Sequence, residues 1–518
     1  MCEAVAKPMQ RDRDMPNPLY DALFARHADQ DTPFLHLPDG STMTHGQFID
    51  TASRYANALT SKGLAPGDRV AVQVGKSPDA LALYAACVQA GLVFLPLNPA
   101  YTPAEVEYFV SDASASLLIC DPGSIGDLVD VAANNQAELE TMDITGRGTL
   151  RDLAAEHGHR FATAERTEND LAAILYTSGT TGRSKGAMLS QKNLLSNAEA
   201  LTKAWQFSKT DVLLHALPIF HTHGLFVATN VMLLSGGAMV FLPKLDADQL
   251  IRFMPRATTL MGVPTFYTRL LAHDDFTACL TAHMRLFISG SAPLLADTHT
   301  EFEERTGHRI LERYGMTETN MNTSNPYDGP RRAGTVGLPL PGIEVKVCDP
   351  ETGETLPDGD IGVVEVRGPN VFQGYWRMPE KTAAELRADG FFITGDLGVM
   401  DDQGYLSIVG RGKDLIISGG YNIYPKEIEL LLDDQPGVME SAVIGAPHAD
   451  LGEAPVGVLV AQPDAALDIE AINTALAGKL ARFKCPRALV VIDELPRNAM
   501  GKVQKNLLRA QYADVFAL

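Results

Sequence analysis

Short apolar segments alternate with longer amphipathic stretches through the first two thirds of the chain. Apolar runs of roughly four to eight residues are typical of buried strands, and helix start signals lie between them, so the pattern predicts α/β layers with mainly parallel sheets. Ser77 before Pro78 predicts one helix start, and Thr102 with Glu105 predicts a capping box at another. The predicted strands are residues 69–74, 92–97, 116–121, 171–177 and 284–290.

The pattern changes after residue 335, where short strand-like runs are separated by turn residues. These runs are residues 344–349, 363–368, 405–410 and 414–420. The pattern from Lys413 onward predicts a small α+β unit. Its elements are a hairpin, a helix at 425–433, two strands, a helix at 469–482, a strand and a last helix. We therefore expect two domains, at residues 1–412 and 413–518.

Two stretches free of Asp, Glu, Lys and Arg, residues 80–97 and 212–243, are long enough to resemble membrane spans. The first is interrupted by the sequence Gln-Ala-Gly at 89–91, and the second contains Asn230 and a glycine pair at 236–237. These interruptions favour buried elements over spans. We expect a helix and a short strand in the first stretch, and a helix, a turn and a strand in the second.

Composition and charge restrict the class of protein. The 518 residues are 45% hydrophobic and 21% charged, which excludes intrinsic disorder. The 43 Lys and Arg against 64 Asp and Glu give a net charge of −21, which disfavours nucleic acid and anionic membranes as partners. Six scattered cysteines without a CxxC pair, and an N-terminal stretch without an apolar run, predict reduced thiols in a cytoplasmic protein.

The strongest local signal is the loop YTSGTTGRSKG at 176–186, which directly follows an apolar run. Its three glycines and five Ser or Thr residues can turn N–H and O–H donors towards phosphate oxygens, and Lys185 supplies a positive charge. The spacing does not fit a Walker A loop, because Ser184 stands where that motif requires glycine. The sequence therefore predicts a phosphate-binding loop of another kind.

Three histidines, His215, His221 and His223, and one arginine, Arg285, lie in or beside apolar stretches. Histidine clusters can bind metals, but no Cys or carboxylate lies between residues 213 and 243, so a pocket-lining role is favoured. Arg285 immediately precedes an apolar run. Its spacing alone fits a binding role and a structural ion pair equally well.

Isolated charged residues follow apolar runs at three further places. Glu318 could hold Mg²⁺ or face solvent. Asp396, in the turn TGDLG, could accept hydrogen bonds from two vicinal hydroxyls such as those of ribose, and Arg411 follows it closely. Lys502 lies in a glycine-containing loop of the small domain. Each of these signals is weak by itself.

Together, the motifs resemble those of the acyl-adenylating superfamily, which contains acyl-CoA synthetases, peptide-synthetase adenylation domains and firefly-type luciferases. The motifs YTSGTTGRSKG, YGMTE, TGDLG, GRGKDLIISGGYNIYPKEIE and PRNAMGKVQK occur in the order and approximate spacing of that group. Within it, HALPIFHTHGLF, MRLFISGSAPL and RYGMTETNMNTSNPYDG look most like malonyl-CoA synthetases. The resemblance implies a large N-terminal domain of layered α/β sheets with a distorted β-barrel, and a small mobile α+β domain hinged at Lys413.

The resemblance implies that Lys502, Thr317, Glu318 and His221 are the catalytic residues, with Glu318 and Thr181 at Mg²⁺. The residues that it implies for ATP are Thr177, Ser178, Gly179, Thr180, Thr181, Gly182, Lys185, Ser291, Ala292, Pro293, Glu312, Arg313, Tyr314, Thr317, Asp396, Arg411 and Lys502. Those that it implies for the acid are Arg285, Thr222, His221, Ser289, Gly290 and Met316, with Arg285 on the distal carboxylate. Gly419 and Gly420 would contact coenzyme A.

The expected reaction is malonate, ATP and CoA to malonyl-CoA, AMP and diphosphate through malonyl-AMP. A synthetase for methylmalonate or another short acid, an ATP phosphotransferase or ATPase, and a non-catalytic nucleotide-binding protein remain alternatives. The expected partners are small molecules, with neither nucleic acid nor membrane, and the expected state is a monomer or homodimer. The negative net charge requires that a few local cations hold these anionic substrates.

Overall fold

The protein is described by a computed structural model that covers residues 16–177, 184–418, 421–463, 465–498 and 502–516. Its strands are β1 (Pro33–His36), β2 (Thr42–Thr44), β3 (Arg69–Gln73), β4 (Val93–Pro96), β5 (Leu117–Cys120), β6 (Glu138–Thr141), β7 (Leu171–Thr177), β8 (Lys185–Ser190), β9 (Val212–His215), β10 (Ala238–Phe241), β11 (Thr259–Gly262), β12 (Leu286–Ser289), β13 (Leu311–Met316), β14 (Asn320–Ser324), β15 (Leu338–Pro339), β16 (Glu344–Cys348), β17 (Gly362–Arg367), β18 (Phe392–Met400), β19 (Leu406–Arg411), β20 (Ile416–Ser418), β21 (Tyr421–Ile423), β22 (Val438–His448), β23 (Gly452–Ala461) and β24 (Ala488–Ile492).

Helices lie between most of these strands. They are α1 (Pro18–Leu23), α2 (His45–Ser61), α3 (Pro78–Gln89), α4 (Pro103–Ala113), α5 (Ile125–Asn134), α6 (Thr149–Ala155), α7 (Gln191–Ala204), α8 (Asn230–Ser235), α9 (Ala247–Phe253), α10 (Pro264–Leu271), α11 (Ala278–Thr281), α12 (Ala296–Thr306), α13 (Pro379–Glu385), α14 (Pro425–Asp433), α15 (Ile469–Lys479) and α16 (Lys505–Gln511).

Two large sheets carry the N-terminal part of the chain. One has nine strands in the order β15-β14-β13-β12-β11-β9-β10-β1-β2, and the other has six in the order β6-β5-β3-β4-β7-β8. The neighbours from β13 through β1 in the first sheet, and from β6 through β7 in the second, are parallel. The α/β class predicted from the sequence is therefore confirmed.

Two smaller sheets follow. The strands β16 to β19 form an antiparallel four-stranded sheet, and β20 to β24 form a sheet with α14, α15 and α16 as the helices of the same region. The four-stranded sheet shares the hydrophobic core of the N-terminal part, whose residues extend to Ile408. The sheet formed by β20 to β24 has separate hydrophobic cores, formed by residues from Ile416 onward. The short helix Gly412–Asp414 joins the two parts.

Local signals in the sequence form the predicted helix starts. The Ser77 side chain accepts a hydrogen bond from the backbone of Ala80 at the start of α3, and Thr102 forms a capping box with Glu105 at α4. Both motifs satisfy N–H groups that a helix leaves unpaired at its first turn.

Both long apolar stretches are buried elements of the layers. The first forms most of α3 together with β4, as predicted. The second forms β9, a wide helical segment at His223–Thr229, α8 and β10, so it begins with a strand that the sequence analysis did not expect. In the described part of the chain, none of the helices has the length and apolar character needed to cross a membrane.

A stacked pair of histidines lies in the core of the N-terminal part. The rings of His27 and His45 stack 4.3 Å apart, and both residues are buried. Burial lowers the pKa of His27, and burial together with the neighbouring His27 lowers the pKa of His45 to about 4. In the unfolded chain these histidines have an ordinary pKa of 6.5. Below that pH the unfolded chain therefore binds more protons than the folded chain.

We predict that the free energy of unfolding falls as the pH is lowered from 6.5 towards 4, and that His45→Phe reduces this pH dependence. Each proton bound only by the unfolded state contributes about 1.4 kcal/mol per pH unit. Urea unfolding between pH 4.5 and 7.5 measures the slope. His159→Gln, a change at an exposed histidine, is the control and should keep the wild-type slope. Equal slopes for His45→Phe and the wild type would contradict the prediction.

Candidate active site

The residues that the sequence analysis singled out converge at the carboxyl ends of parallel strands in the nine-stranded sheet. β12 ends at Ser289 and is followed by Ser291, whose hydroxyl lies 3.2 Å from Nδ1 of His223. His223 belongs to the segment that follows β9, which runs parallel to β12 through β11. Carboxyl ends of neighbouring parallel strands form the ligand-binding edge in sheets of this kind. Ser291 also has a positive φ of 69°, which is uncommon for a residue with a side chain.

A tight connection between β13 and β14 presents Thr317 and Glu318 at this edge. Its ends pair Met316 with Asn320. Glu318 is buried, and its Oε1 lies 3.0 Å from the hydroxyl of Tyr375. Burial raises the pKa of Glu318, so a cation beside this carboxylate would stabilise its ionised form.

Lys185 begins β8, directly after the predicted phosphate-binding loop, and pairs with Thr177 of β7. Its Nζ lies 3.5 Å from Oε2 of Glu385 and 4.1 Å from the centre of the Tyr375 ring. Tyr375 also donates to Glu385 over 2.7 Å. Glu385 and Tyr375 therefore hold the Lys185 ammonium group beside Glu318. A phosphate group could take the place of Glu385 as the partner of Lys185.

Five predicted residues of the loop, Ser178 to Gly182, lie outside the described residues, as do Gly419 and Gly420. Their predicted contacts with ATP phosphates, Mg²⁺ and coenzyme A stay predictions.

Asp396 and Arg411 are held together on the antiparallel sheet. They are opposite each other in β18 and β19, and Arg411 Nε lies 2.7 Å from Asp396 Oδ1. Tyr314 donates its hydroxyl to the other carboxylate oxygen over 2.5 Å. Because each carboxylate oxygen has two lone pairs, Asp396 can still accept hydrogen bonds from a diol.

Lys502 belongs to the C-terminal part of the chain but lies at the same site. Its backbone N–H donates to Oδ1 of Asn498 over 3.0 Å. Loss of hydration and the nearby Arg411 lower its pKa, while Asp396 and Glu318 act in the opposite direction. The residue as a whole remains exposed, yet its ammonium group interacts electrostatically with side chains from three elements of the N-terminal part.

His221 and His223 lie at the site in the segment between β9 and α8. Burial, followed by the charges of Lys502 and Arg313, lowers the pKa of His221 to about 3. Burial and Arg313 also lower the pKa of His223 far below its usual value. Both imidazoles are thus neutral at physiological pH and can act as hydrogen-bonding groups beside an anion. No group of three or more His, Cys, Asp or Glu residues in the described ranges is arranged to hold a metal ion.

The prediction that Arg285 binds the acid is wrong. Arg285 directly precedes β12, so it lies at the end of the strand away from the site. Because β12 has four residues, this end is about 13 Å from the carboxyl end of the strand. Its Nε and Nη2 bind the two oxygens of Asp211 at 2.6 and 2.9 Å, and its Nη1 donates to the carbonyl of Trp205 over 3.1 Å. Arg285 therefore forms a structural ion pair with Asp211, which connects the start of β12 to the start of β9.

A second arginine, Arg313 in β13, has no such partner. The resemblance implied that Arg313 lies against adenine, but its side chain points away from the side occupied by Tyr314 and Asp396. The guanidinium packs so closely on Gly290 that a Cβ atom added there would lie 2.5 Å from it. Arg313 is 2% exposed, and its Nε and Nη1 find no hydrogen-bond acceptor among the described residues.

Burial lowers the pKa of Arg313 to about 9, which leaves it positively charged at neutral pH. Within the described part of the chain, no carboxylate lies at ion-pairing distance from it. A buried charge without a partner costs several kcal/mol. An anionic group of a substrate would remove that cost.

Glu312, which was expected near adenine, has its carboxylate 3.5 Å from Nδ1 of His299 on α12. Both side chains are buried, and burial raises the pKa of Glu312. Its side chain thus packs on α12.

Three residues of the site were missed in the sequence: Tyr375, Glu385 and Lys76. Lys76 follows β3 in the six-stranded sheet, and its Nζ contacts Nδ1 of His215 at 2.8 Å and the carbonyls of His215 and Leu217 at 2.9 Å. His215 continues the contact through Nε2 to the carbonyl of Gly224 at 2.9 Å. These bonds fix the segment that carries His221 against the other sheet. The available signal for Lys76 was its position just after the apolar run at 69–74.

Comparison with known proteins is consistent with this geometry. A family model described as AMP-binding enzyme matches residues 24–376, and one described as AMP-binding enzyme C-terminal domain matches residues 427–502. The chain is 33% identical over 519 residues to the malonate–CoA ligase of Arabidopsis thaliana, covering 91% of this chain and 85% of that protein. It is 32% identical over 513 residues to the long-chain-fatty-acid–CoA ligase of Bacillus subtilis (strain 168), covering 90% of each.

Among solved structures, ATP-bound MatB from Rhodopseudomonas palustris is 56% identical and superposes with a TM-score of 0.95, over 97% of this chain and 100% of that chain. The apo form of the same protein, at 56% identity and the same coverage, gives a TM-score of 0.84. This chain thus superposes more closely on the ATP-bound form than on the apo form. The chain therefore belongs to the AMP-binding enzyme family of acyl-CoA ligases.

Proposed function

We propose that the protein is an ATP-dependent malonyl-CoA synthetase, which converts malonate, ATP and CoA into malonyl-CoA, AMP and diphosphate through malonyl-AMP. The observation that carries the proposal is Arg313, a buried cation whose Nε and Nη1 atoms have no hydrogen-bond acceptor among the described residues, beside the neutral His221. A fatty-acid pocket has no use for such a charge, whereas a dicarboxylate would leave one carboxylate unpaired without it. The similarity to the Arabidopsis malonate–CoA ligase supports the same substrate class.

The first step joins two anions, so its barrier depends on nearby positive charge. A carboxylate oxygen of malonate attacks the α-phosphate of ATP, the bond to the bridging oxygen breaks, and diphosphate leaves. Lys185 would move from Glu385 to the leaving phosphates, and Lys502 would neutralise the charge that develops between the carboxylate and the α-phosphate. Asp396 would bind the ribose hydroxyls and so fix the nucleotide.

Magnesium fits the donor set at Glu318. Its buried carboxylate, together with phosphate oxygens, is the kind of oxygen ligand that Mg²⁺ prefers, and Thr181 would be a further ligand. When bound, the ion would neutralise charge on the phosphates.

In the second step the thiol sulfur of CoA attacks the acyl carbon, and AMP leaves as the acyl–oxygen bond breaks. This step requires other groups around the same acyl-AMP, so we infer that residues 413–518 rotate about Lys413 and withdraw Lys502. Gly419 and Gly420 would then border the pantetheine arm. We further infer that the enzyme works in the cytoplasm as a monomer or homodimer, without a nucleic-acid or membrane partner.

The experiment is a panel of acids supplied with ATP, Mg²⁺ and CoA, with AMP, ADP and thioester measured separately. We expect AMP and thioester in equal amounts, with malonate giving a higher kcat/KM than acetate, butyrate or octanoate. Methylmalonate tests the alternative of a C2-substituted acid. Production of ADP would instead identify a phosphotransferase or ATPase, and a preference for octanoate would contradict the malonate assignment.

Lys502→Ala is expected to abolish malonyl-AMP formation but to leave thioester formation from supplied malonyl-AMP within a few-fold of the wild type. The reason is that Lys502 lies among Asp396, Arg411 and Glu318 in the arrangement closest to the ATP-bound form. Pyrophosphate exchange measures the first half-reaction and CoA-dependent release of AMP measures the second. Lys505→Ala, a lysine paired with Glu429 in the same part of the chain, is the control. Equal loss of both half-reactions would contradict the assigned role.

A further inference from the structure

Asn320 is a buried polar residue of the site to which neither the motifs nor the reaction assigns a role. It begins β14, directly after the turn that carries Glu318, and is 1% exposed. Its Oδ1 accepts a hydrogen bond from the hydroxyl of Thr222 over 2.6 Å. Its Nδ2 has no acceptor anywhere in the described chain. Buried amide groups are nearly always fully bonded, so this free donor requires an explanation.

The Thr222 contact fixes the direction of the amide. Because the oxygen accepts from Thr222, the N–H₂ group faces away from that hydroxyl. Thr222 is itself buried and follows His221. The charges of Lys502 and Arg313 both lower the pKa of the His221 imidazole, after the larger effect of burial. The amide therefore lies on the acid side of the site.

One other group beside His221 also lacks partners among the described residues. It is the guanidinium of Arg313, whose Nε and Nη1 atoms find no hydrogen-bond acceptor. A single group with several acceptor lone pairs would satisfy the free donors of both Asn320 and Arg313. A carboxylate offers about four such lone-pair positions.

We propose that Asn320 is a specificity-determining residue whose amide N–H₂ donates to the second carboxylate of the dicarboxylic substrate, beside Arg313. This inference rests on the proposed function and identifies how the same pocket distinguishes a dicarboxylate from an aliphatic acid. The choice of asparagine follows from its neighbours. An aspartate of the same size would accept from Thr222 equally well but would oppose the substrate with a negative charge.

Two variants test the proposal without straining the backbone. Asn320 has a positive φ of 52°, which Asp and Gly adopt more readily than apolar residues. Asn320→Gly removes the donor, and Asn320→Asp replaces it with an acceptor. We expect Asn320→Gly to lower kcat/KM for malonate about 10- to 100-fold, the range for one lost hydrogen bond to a charged group, and Asn320→Asp to lower it further.

Butyrate is the comparison substrate because it has no second carboxylate. We expect its kcat/KM to change less than about threefold in Asn320→Gly. A residue that only shaped the turn at Glu318 would change malonate and butyrate equally, so equal losses would overturn the proposal. Unchanged kcat/KM for malonate would overturn it as well.

Asn322 provides the matched control. It lies two residues further along β14, is buried, accepts from the amide of Asn370 over 3.1 Å, and likewise has an Nδ2 atom for which the described residues offer no acceptor. Asn322→Asp should keep the wild-type ratio of malonate to butyrate. If the wild type itself does not prefer malonate, the proposed function fails. If it does and Asn320→Gly keeps the preference, only the role of Asn320 fails.

Discussion

A buried guanidinium without a carboxylate partner is the feature on which the rest of the site depends. Two nitrogen atoms of Arg313 have no hydrogen-bond acceptor in the interior of the described chain, which costs several kcal/mol. The fold can bear this cost because the surrounding layers bury extensive apolar surface on both sides of two large sheets. The ordinary solution, pairing the arginine with a carboxylate, is used at Arg285 with Asp211. Arg285 therefore serves the fold, whereas Arg313 is left available for the substrate carboxylate that we propose.

The other cations of the site do have partners. Lys185 rests against Glu385, and Arg411 is bound to Asp396. The net charge of −21 therefore matters less than the local arrangement, in which carboxylates of the chain hold cations at positions where phosphate groups can reach them. Lys502 joins this group from the C-terminal part, so its contribution depends on the arrangement of the two parts.

Much of the fold follows from local signals in the sequence. Ser77 and Thr102 start their helices where predicted, because a capping hydroxyl acts within one helical turn. The site was harder to predict, since it depends on which end and which face of a strand a residue occupies. Arg285 and Arg313 both lie beside apolar strands, but only the position at the carboxyl end of the sheet reaches the site. Tyr375 and Lys76 were missed because their partners lie far away in sequence, at Glu318 and His215.

The most direct test of the account compares Arg313→Leu with Arg285→Leu in the ratio of kcat/KM for malonate to that for butyrate. Removing one partner of a buried charge pair costs about 2–5 kcal/mol, so Arg313→Leu should lower the ratio by roughly 30-fold or more. Arg285→Leu should lower the stability of the protein and leave the ratio unchanged, because its partner is Asp211. The account would be contradicted if Arg313→Leu kept the wild-type ratio of kcat/KM for malonate to that for butyrate, or if only Arg285→Leu lowered it.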